Sequence, residues 1–237
     1  MKTLFALIGL LCFTINVQAQ KVINDPNVEP RTLKGTFTGI SVSGGIDIHI
    51  SYGDEAVAVS ASKPEYRDRI KTEIDNGILK IWYDSKTGIS FSGNKNLKAY
   101  VSYKTLKSLE ASGGSDVAVD GTIKSSELVL RVSGGSDFKG AVDVDFLKAR
   151  LSGGSDIKIS GRATGLDVDA SGGSDFKGYD LVAERCELEA SGGCDIEVTA
   201  NKELSARASG ASDIHYKGKP TVKEAKSSGA SSVSARG

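Results

Sequence analysis

The sequence is poor in the residues that usually carry chemistry. Its 237 residues include two histidines, three cysteines, one tryptophan and one methionine, and aromatic residues make up 6%. Net charge is also missing, since 30 Lys and Arg balance 30 Asp and Glu. Without a basic excess there is no electrostatic footprint for nucleic acid or an anionic membrane. So few His and Cys, with no metal-ligand spacing, exclude a zinc site of three or four ligands. No apolar run after the first twenty residues is long enough to span a membrane. No proline falls between Pro64 and Pro220, as strand interiors require. Helical periodicity is absent from about residue 97 onward.

What the chain has in excess is glycine and serine, 28 and 30 residues. The glycines follow no Gly-X-Y period, so the chain is not collagen-like. With 39% hydrophobic and 25% charged residues it is globular rather than disordered.

The first nineteen residues read as a signal peptide. Lys2 supplies the charged start, Leu4 to Ile15 the apolar stretch, and Val17-Gln18-Ala19 the small residues before cleavage. The expected location is therefore outside the cytoplasm: periplasm, cell surface or secreted. Residues 20–32 read as a linker ahead of one domain over 33–235. Cys186 and Cys194 remain in the mature chain, and an oxidising compartment permits a disulfide between them.

The glycine and serine excess concentrates in one recurring pentapeptide. It reads Ser112-Gly-Gly-Ser-Asp116 and starts again at Ser133, Ser152, Ser171, Ser191, Ser209 and Ser228, with small variations. The spacings are 21, 19, 19, 20, 18 and 19 residues. A fixed period near 19 marks a solenoid, here an array over about 107–235. An eighth copy, Ser43-Gly-Gly-Ile-Asp47, stands alone upstream.

Around each copy apolar and polar residues alternate, as in Leu128, Leu130, Val132 before one copy and Leu147, Ala149, Leu151 before the next. Period two means strands. If the motif is extended, that parity turns its second serine inward and its aspartate outward. Cys194 and Ile46 replace the second serine in two copies, and an interior accepts both. Stacking then places Ser174 and Ser212, not Cys186, beside Cys194, which argues against the disulfide. Coils of two or three short strands, stacked about 4.8 Å apart, give seven coils a column about 30 Å long. The glycines would let the chain pass the corner.

The N-terminal part departs from the repeat. Gly39 to Ser51 reads as one alternating strand, followed by Ala56 to Ser60. Pro64 to Ile70 suits a short helix with proline in its first turn. Asn76-Gly77 between alternating runs predicts a type I′ hairpin. Gly88 to Asn96 reads as a loop and Leu97 to Tyr103 as a strand. These strands are expected to extend or cap the column.

Order and spelling of these pieces resemble the putative auto-transporter adhesin, head GIN domain family of exported bacterial proteins. Gly45-Ile46-Asp47 matches the motif for which that family is named, with Asp in place of Asn. An Ile-x-x-Gly-x-Leu-x-Ile hairpin follows, then the run of Ser-Gly-Gly-Ser-Asp coils. The resemblance covers about residues 33 to 235. It implies an all-β fold, a right-handed parallel β-helix, and a secreted or cell-surface location. It brings no catalytic residue.

Candidate chemistry lies in the outward aspartates Asp116, Asp137, Asp156, Asp175, Asp195 and Asp213. Like charges stacked about 5 Å apart repel, so something must offset them. Calcium is one candidate, since it takes several carboxylate oxygens. Hydrogen bonds from turn backbone are another. The third is pairing with Lys139, Lys158 and Lys177, each two residues after an aspartate. The latter two readings are favoured, so no cofactor is expected. His49 and His215 occupy equivalent positions and read as surface residues. Ser-Gly-Gly-Ser is not a nucleophile elbow, and the array reads as non-enzymatic. Trp82, Tyr83, Tyr100 and Tyr103 cluster in the sequence, as hairpin packing or as a sugar-stacking surface. The resulting expectation is an exported interaction module, an adhesin for a glycan or protein surface ligand. Its alternatives are a calcium-stabilised envelope protein and a β-helical carbohydrate-active enzyme, the latter because parallel β-helices also host lyases and hydrolases.

Overall fold

Each turn of the chain around this protein consumes about 19 residues and stacks on the turn before it, giving a β-solenoid of about seven turns. The computed structural model describes residues 25–85 and 95–236. The expected signal peptide, and most of the expected loop after Gly88, lie outside the described residues.

The array consists of β8 (Ser108–Ser112), β9 (Val117–Ser133), β10 (Asp137–Ser152), β11 (Asp156–Gly172), β12 (Asp175–Gly192), β13 (Asp195–Gly210), β14 (Asp213–Lys217), β15 (Thr221–Gly229) and β16 (Ser232–Ala235). Neighbouring turns pair in parallel and in register. Asp137 lies opposite Asp156, which lies opposite Asp175, then Asp195, then Asp213. One face of each strand closes on the interior. Leu128, Leu130, Leu147, Ala149, Leu166, Val168, Leu188 and Ala206 are all buried.

Upstream lie β1 (Glu29–Arg31), β2 (Gly39–Ser43), β3 (Asp47–Tyr52), β4 (Ala56–Ser60), a one-turn helix α1 (Pro64–Arg67), β5 (Ile70–Asp75), β6 (Ile78–Tyr83) and β7 (Lys98–Tyr103). The expected hairpin is present: Asn76 and Gly77 both take positive φ, 50° and 74°, between β5 and β6. Three readings need correction. Glu29–Arg31, inside the stretch read as a linker, pairs antiparallel with Val57 to Val59. The strand expected over Gly39 to Ser51 breaks at Gly44 and Gly45, whose φ values are 86° and 71°. The upstream motif copy does not stand alone. Ser43 lies opposite Ser112, and Ile48 lies opposite Val117. It is the first rung of the column, separated from the second by an insertion. That insertion closes this end with antiparallel pairs, β4 on β7 and β5 on β6.

The pentapeptide is a corner, not an extended stretch. Gly134 and Gly135 have φ of 67° and 71°, a region open to glycine at little steric cost. The parity holds nonetheless, because this turn still returns the second serine to the interior. Ser115, Ser136, Ser155, Ser174 and Ser212 are fully buried.

Their burial is stabilised by a continuous ladder. The Ser115 backbone N–H donates to Ser136 Oγ (2.9 Å), Ser136 N–H to Ser155 Oγ (3.4 Å), and Ser155 N–H to Ser174 Oγ (3.2 Å). It starts at Ile46, whose N–H donates to Ser115 Oγ (3.1 Å). Within a corner the hydroxyl donates onward, from Ser155 to the Ser152 carbonyl (3.0 Å) and from Ser174 to the Ser171 carbonyl (3.1 Å). Ser155 and Ser174 thus each close their own corner and tie it to the corner before. Cys194 takes the same place with a thiol, 3.2 Å from the Ser191 carbonyl.

Removing one rung tests the ladder. Ser155→Ala leaves the Ser136 N–H and the Ser152 carbonyl without this partner in a dry site, at a cost of about 1–3 kcal/mol. Ser155→Cys repeats what the chain does at Cys194 and stays closer to the parent. Denaturant midpoints of the two variants check the order.

Candidate functional site

Side chains that leave the column do so in straight files, one residue per turn. Two arms carry them, one approaching the corner and one leaving it.

On the approaching arm the first motif serines form one file. Ser43, Ser112, Ser133, Ser152, Ser171, Ser191 and Ser209 are opposite one another in successive turns and exposed or half-exposed. Trp82, opposite Ser43, heads this file and is half-buried. A charged file runs beside it, including Arg131, Arg150, Asp169, Glu189 and Arg207. Ion pairs knit neighbouring turns. Arg150 holds Asp167 through two hydrogen bonds of 2.8 and 2.9 Å, and Arg207 bridges Glu189 (2.9 Å) and Glu224 (2.7 Å). Two shallow open clefts, about 780 and 270 Å³, lie along this arm. The larger is walled by Glu189, Arg207 and Lys226 over a floor of small residues such as Ala208 and Ser209. Neither cleft is lined by histidine, cysteine or an aromatic residue.

On the leaving arm the motif aspartates form the expected outward file. Asp116, Asp137 and Asp195 are exposed, and Asp156, Asp175 and Asp213 are half-buried. Their repulsion is relieved locally. Lys177 Nζ lies 2.6 Å from Asp156 and 3.2 Å from Asp175. Asp137 Oδ1 accepts from the Asp156 backbone N–H (3.3 Å), and Asp213 Oδ1 from the Ser232 hydroxyl (2.6 Å). The lysine file does not persist, because Glu197 and then His215 follow Lys177 in register. Among the described residues no three His, Cys, Asp or Glu side chains converge as metal ligands would. The aspartates stand one per turn, and Asp137, Asp156, Asp175 and Asp213 each have a hydrogen-bond or ion-pair partner. Thermal unfolding with and without EDTA is expected to give the same melting temperature; a drop on chelation would restore the calcium reading.

Gly45, Ile46 and Asp47 serve the same corner. Gly45 takes positive φ, Ile46 is fully buried, and the Asp47 N–H donates to the Leu97 carbonyl (3.0 Å). The tripeptide that resembles the family signature is therefore a structural device in its first rung.

The four N-terminal aromatics do not share a surface. Tyr83 and Tyr103 are buried. Trp82 lies on the approaching arm, and Tyr100 on the leaving arm beside His49. The His49 and Tyr100 rings stack at 5.4 Å between centroids and 15° between planes. Tyr100 is held further by donating to Asp25 Oδ2 (3.1 Å). Burial pushes the Tyr100 phenol up, and the Asp25 hydrogen bond adds to this. No local signal marks this pair, since its partners are 51 positions apart and meet only through the pairing of β3 with β7.

Cys186 and Cys194 are free and buried. Burial pushes the Cys186 thiol up to about 12, so it lacks the thiolate that reactive cysteines need.

These features define a class: a single-chain β-solenoid whose outer faces repeat one side chain per turn. The chain belongs to the putative auto-transporter adhesin, head GIN domain family, whose model matches residues 36–220. Solved structures agree on the fold. A putative adhesin from Bacteroides fragilis superposes with a TM-score of 0.81 at 19% identity, covering 88% of this chain and 96% of that one. A putative adhesin from Parabacteroides distasonis gives 0.69 at 19% identity, covering 90% and 98%. A protein of the same organism described as a putative lipid binding protein gives 0.65 at 21% identity, also covering 90% and 98%. No curated protein matches the chain. No helix among the described residues is long and apolar enough to cross a membrane.

Proposed function

We propose that the protein is an exported, non-enzymatic interaction module: an adhesin that holds a glycan or protein ligand against the files of its column. One observation carries this reading. Files of side chains run along the outer faces, one residue per turn, and the motif serines and aspartates recur at equivalent positions, so the column offers repeated contacts along its length. A hydrolase needs an acid and a base set apart by their surroundings. The motif aspartates instead recur at the same outward corner position in successive turns, exposed or half-buried, and do not face one another across a cleft as an acid and a base. Family membership supports the adhesive reading, and the N-terminal signal-like sequence supports export to the periplasm, cell surface or medium.

Beads coated with the protein test it. They are expected to be retained on at least one of mucin, fibronectin and heparin surfaces, in competition with free protein. Failure on every such surface would count against adhesion.

A further inference from the structure

The leaving arm carries a notch that no other described turn reproduces between two long side chains. Its file of outward side chains runs from His49 through Ala118, Lys139, Lys158, Lys177 and Glu197 to His215. Between His49 and His215 every position but Ala118 bears a long side chain; the short Ser234 follows His215 only at the end of the file. Ala118 therefore leaves a gap two strand spacings wide, about 10 Å, between His49 and Lys139. His49 and Lys139 are exposed, and Ala118 is half-buried.

The walls of this gap are unlike one another. On one side stands the His49 ring, stacked on Tyr100, which is its in-register neighbour on one strand, while Ala118 is its in-register neighbour on the other. Tyr100 is itself fixed by Asp25, so the pair is a pre-organised flat wall. Lys139 stands opposite. Asp116 and Asp120, two residues before and after Ala118, project from the same face and are exposed. A flat ring, a small apolar floor, a carboxylate and an ammonium around one gap form an arrangement suited to a polar ring with an apolar face. Ligand sites combine such a surface with a few placed polar groups. Rigid walls also reduce the ordering cost of binding.

We propose that this notch binds a single hexose unit of a glycan. The C–H face of the sugar lies on the His49 ring over the Ala118 methyl group. Its hydroxyls donate to Asp116 and accept from Lys139. A charged peptide is the poorer fit, because the opposite charges at the rim favour neither sign. The proposal rests on the adhesive reading above and gives it a ligand class and a place.

The two histidines make the test clean. Methyl α-mannoside, methyl β-galactoside, methyl β-glucoside and methyl N-acetyl-β-glucosaminide are titrated separately while the histidine ring protons are followed by NMR. At least one is expected to shift the His49 signals saturably and leave those of His215 in place. Ala118→Leu fills the notch on an exposed strand face and should weaken binding about tenfold or more. In the variants binding is read by saturation transfer from the protein to the glycoside protons: His49→Phe keeps a flat wall and should retain binding, whereas His49→Ser should lose it. No shift of His49 with any of the four glycosides would overturn the proposal, as would undiminished binding by both Ala118→Leu and His49→Ser. The bead assay separates the two levels. Retention that survives Ala118→Leu removes the notch and leaves the adhesive reading standing, while no retention by the parent protein removes the adhesive reading itself.

Discussion

Gly192→Ala is expected to cost about 3 kcal/mol or more, while Gly193→Ala, one residue on, stays within about 0.5 kcal/mol. The two glycines look alike in sequence. Gly192 has φ of 93°, and a methyl group there would lie 2.5 Å from the Gly172 carbonyl oxygen. That oxygen already accepts the Gly193 N–H at 2.8 Å, so it is not free to retreat. Left-handed backbone alone costs a non-glycine residue about 1–2 kcal/mol. The collision between stacked corners adds to it. Gly193 lies outside the left-handed region, and its nearest approach is 3.8 Å. The chain makes the same change at Ala211 and Ala230, the equivalent position of its last two corners. Gly135→Ala falls between, because Gly135 has φ of 71° but open space around it. Urea midpoints of the three variants should rank in that order. Equal effects would mean that the corners do not stack as closely as described.

Phe176→Ala is expected to destabilise by about 3–5 kcal/mol, at the upper end for a core substitution. The file through this position reads Phe138, Ile157, Phe176, Ile196, Ile214. Two residues further along, in the same inward direction, stand Gly140, Ile159, Gly178, Val198 and Tyr216. Each phenylalanine is followed by a glycine, and each isoleucine by a larger residue. The reason is steric. A methyl group on Gly178 would lie 2.5 Å from the Phe176 ring, and one on Gly140 would lie 3.0 Å from the Phe138 ring and 2.6 Å from the Val119 side chain. The ring fills the space its own glycine vacates, so removing it opens a void that no neighbouring side chain can close. The exchange also predicts coupling. Gly178→Val alone clashes with the ring, and Phe176→Ile alone leaves a gap. Together they should be less destabilising than their sum by about 1 kcal/mol or more. Strict additivity in chemical denaturation would contradict this packing.

Much of the interior was legible because period-two alternation is a local signal. Leu128 to Val132 and Leu147 to Leu151 needed no knowledge of their neighbours to be assigned inward. The buried serines were legible through Cys194 and Ile46, substitutions that only an interior tolerates. The handling of the corner was less secure: an extended motif and a left-handed one both turn Ser136 inward, and alternation alone does not separate them. What stayed hidden depends on pairing across long stretches of chain. Ser43 to Asp47 looked isolated because the capping insertion separates it from Ser112. Trp82 and Tyr100 looked like neighbours because they are close in sequence, yet β6 joins β2 on one arm and β7 joins β3 on the other. The His49–Tyr100 pair arises from the same pairing.

The functional reading turns on whether the column holds a ligand or changes it. The direct measurement is to incubate the protein with end-labelled polysaccharides, recover what it retains, and analyse the retained chains by mass spectrometry. The expected result is saturable retention of at least one polysaccharide at its original length. Shortened chains or unsaturated ends, absent without the protein, would show catalysis and contradict the account.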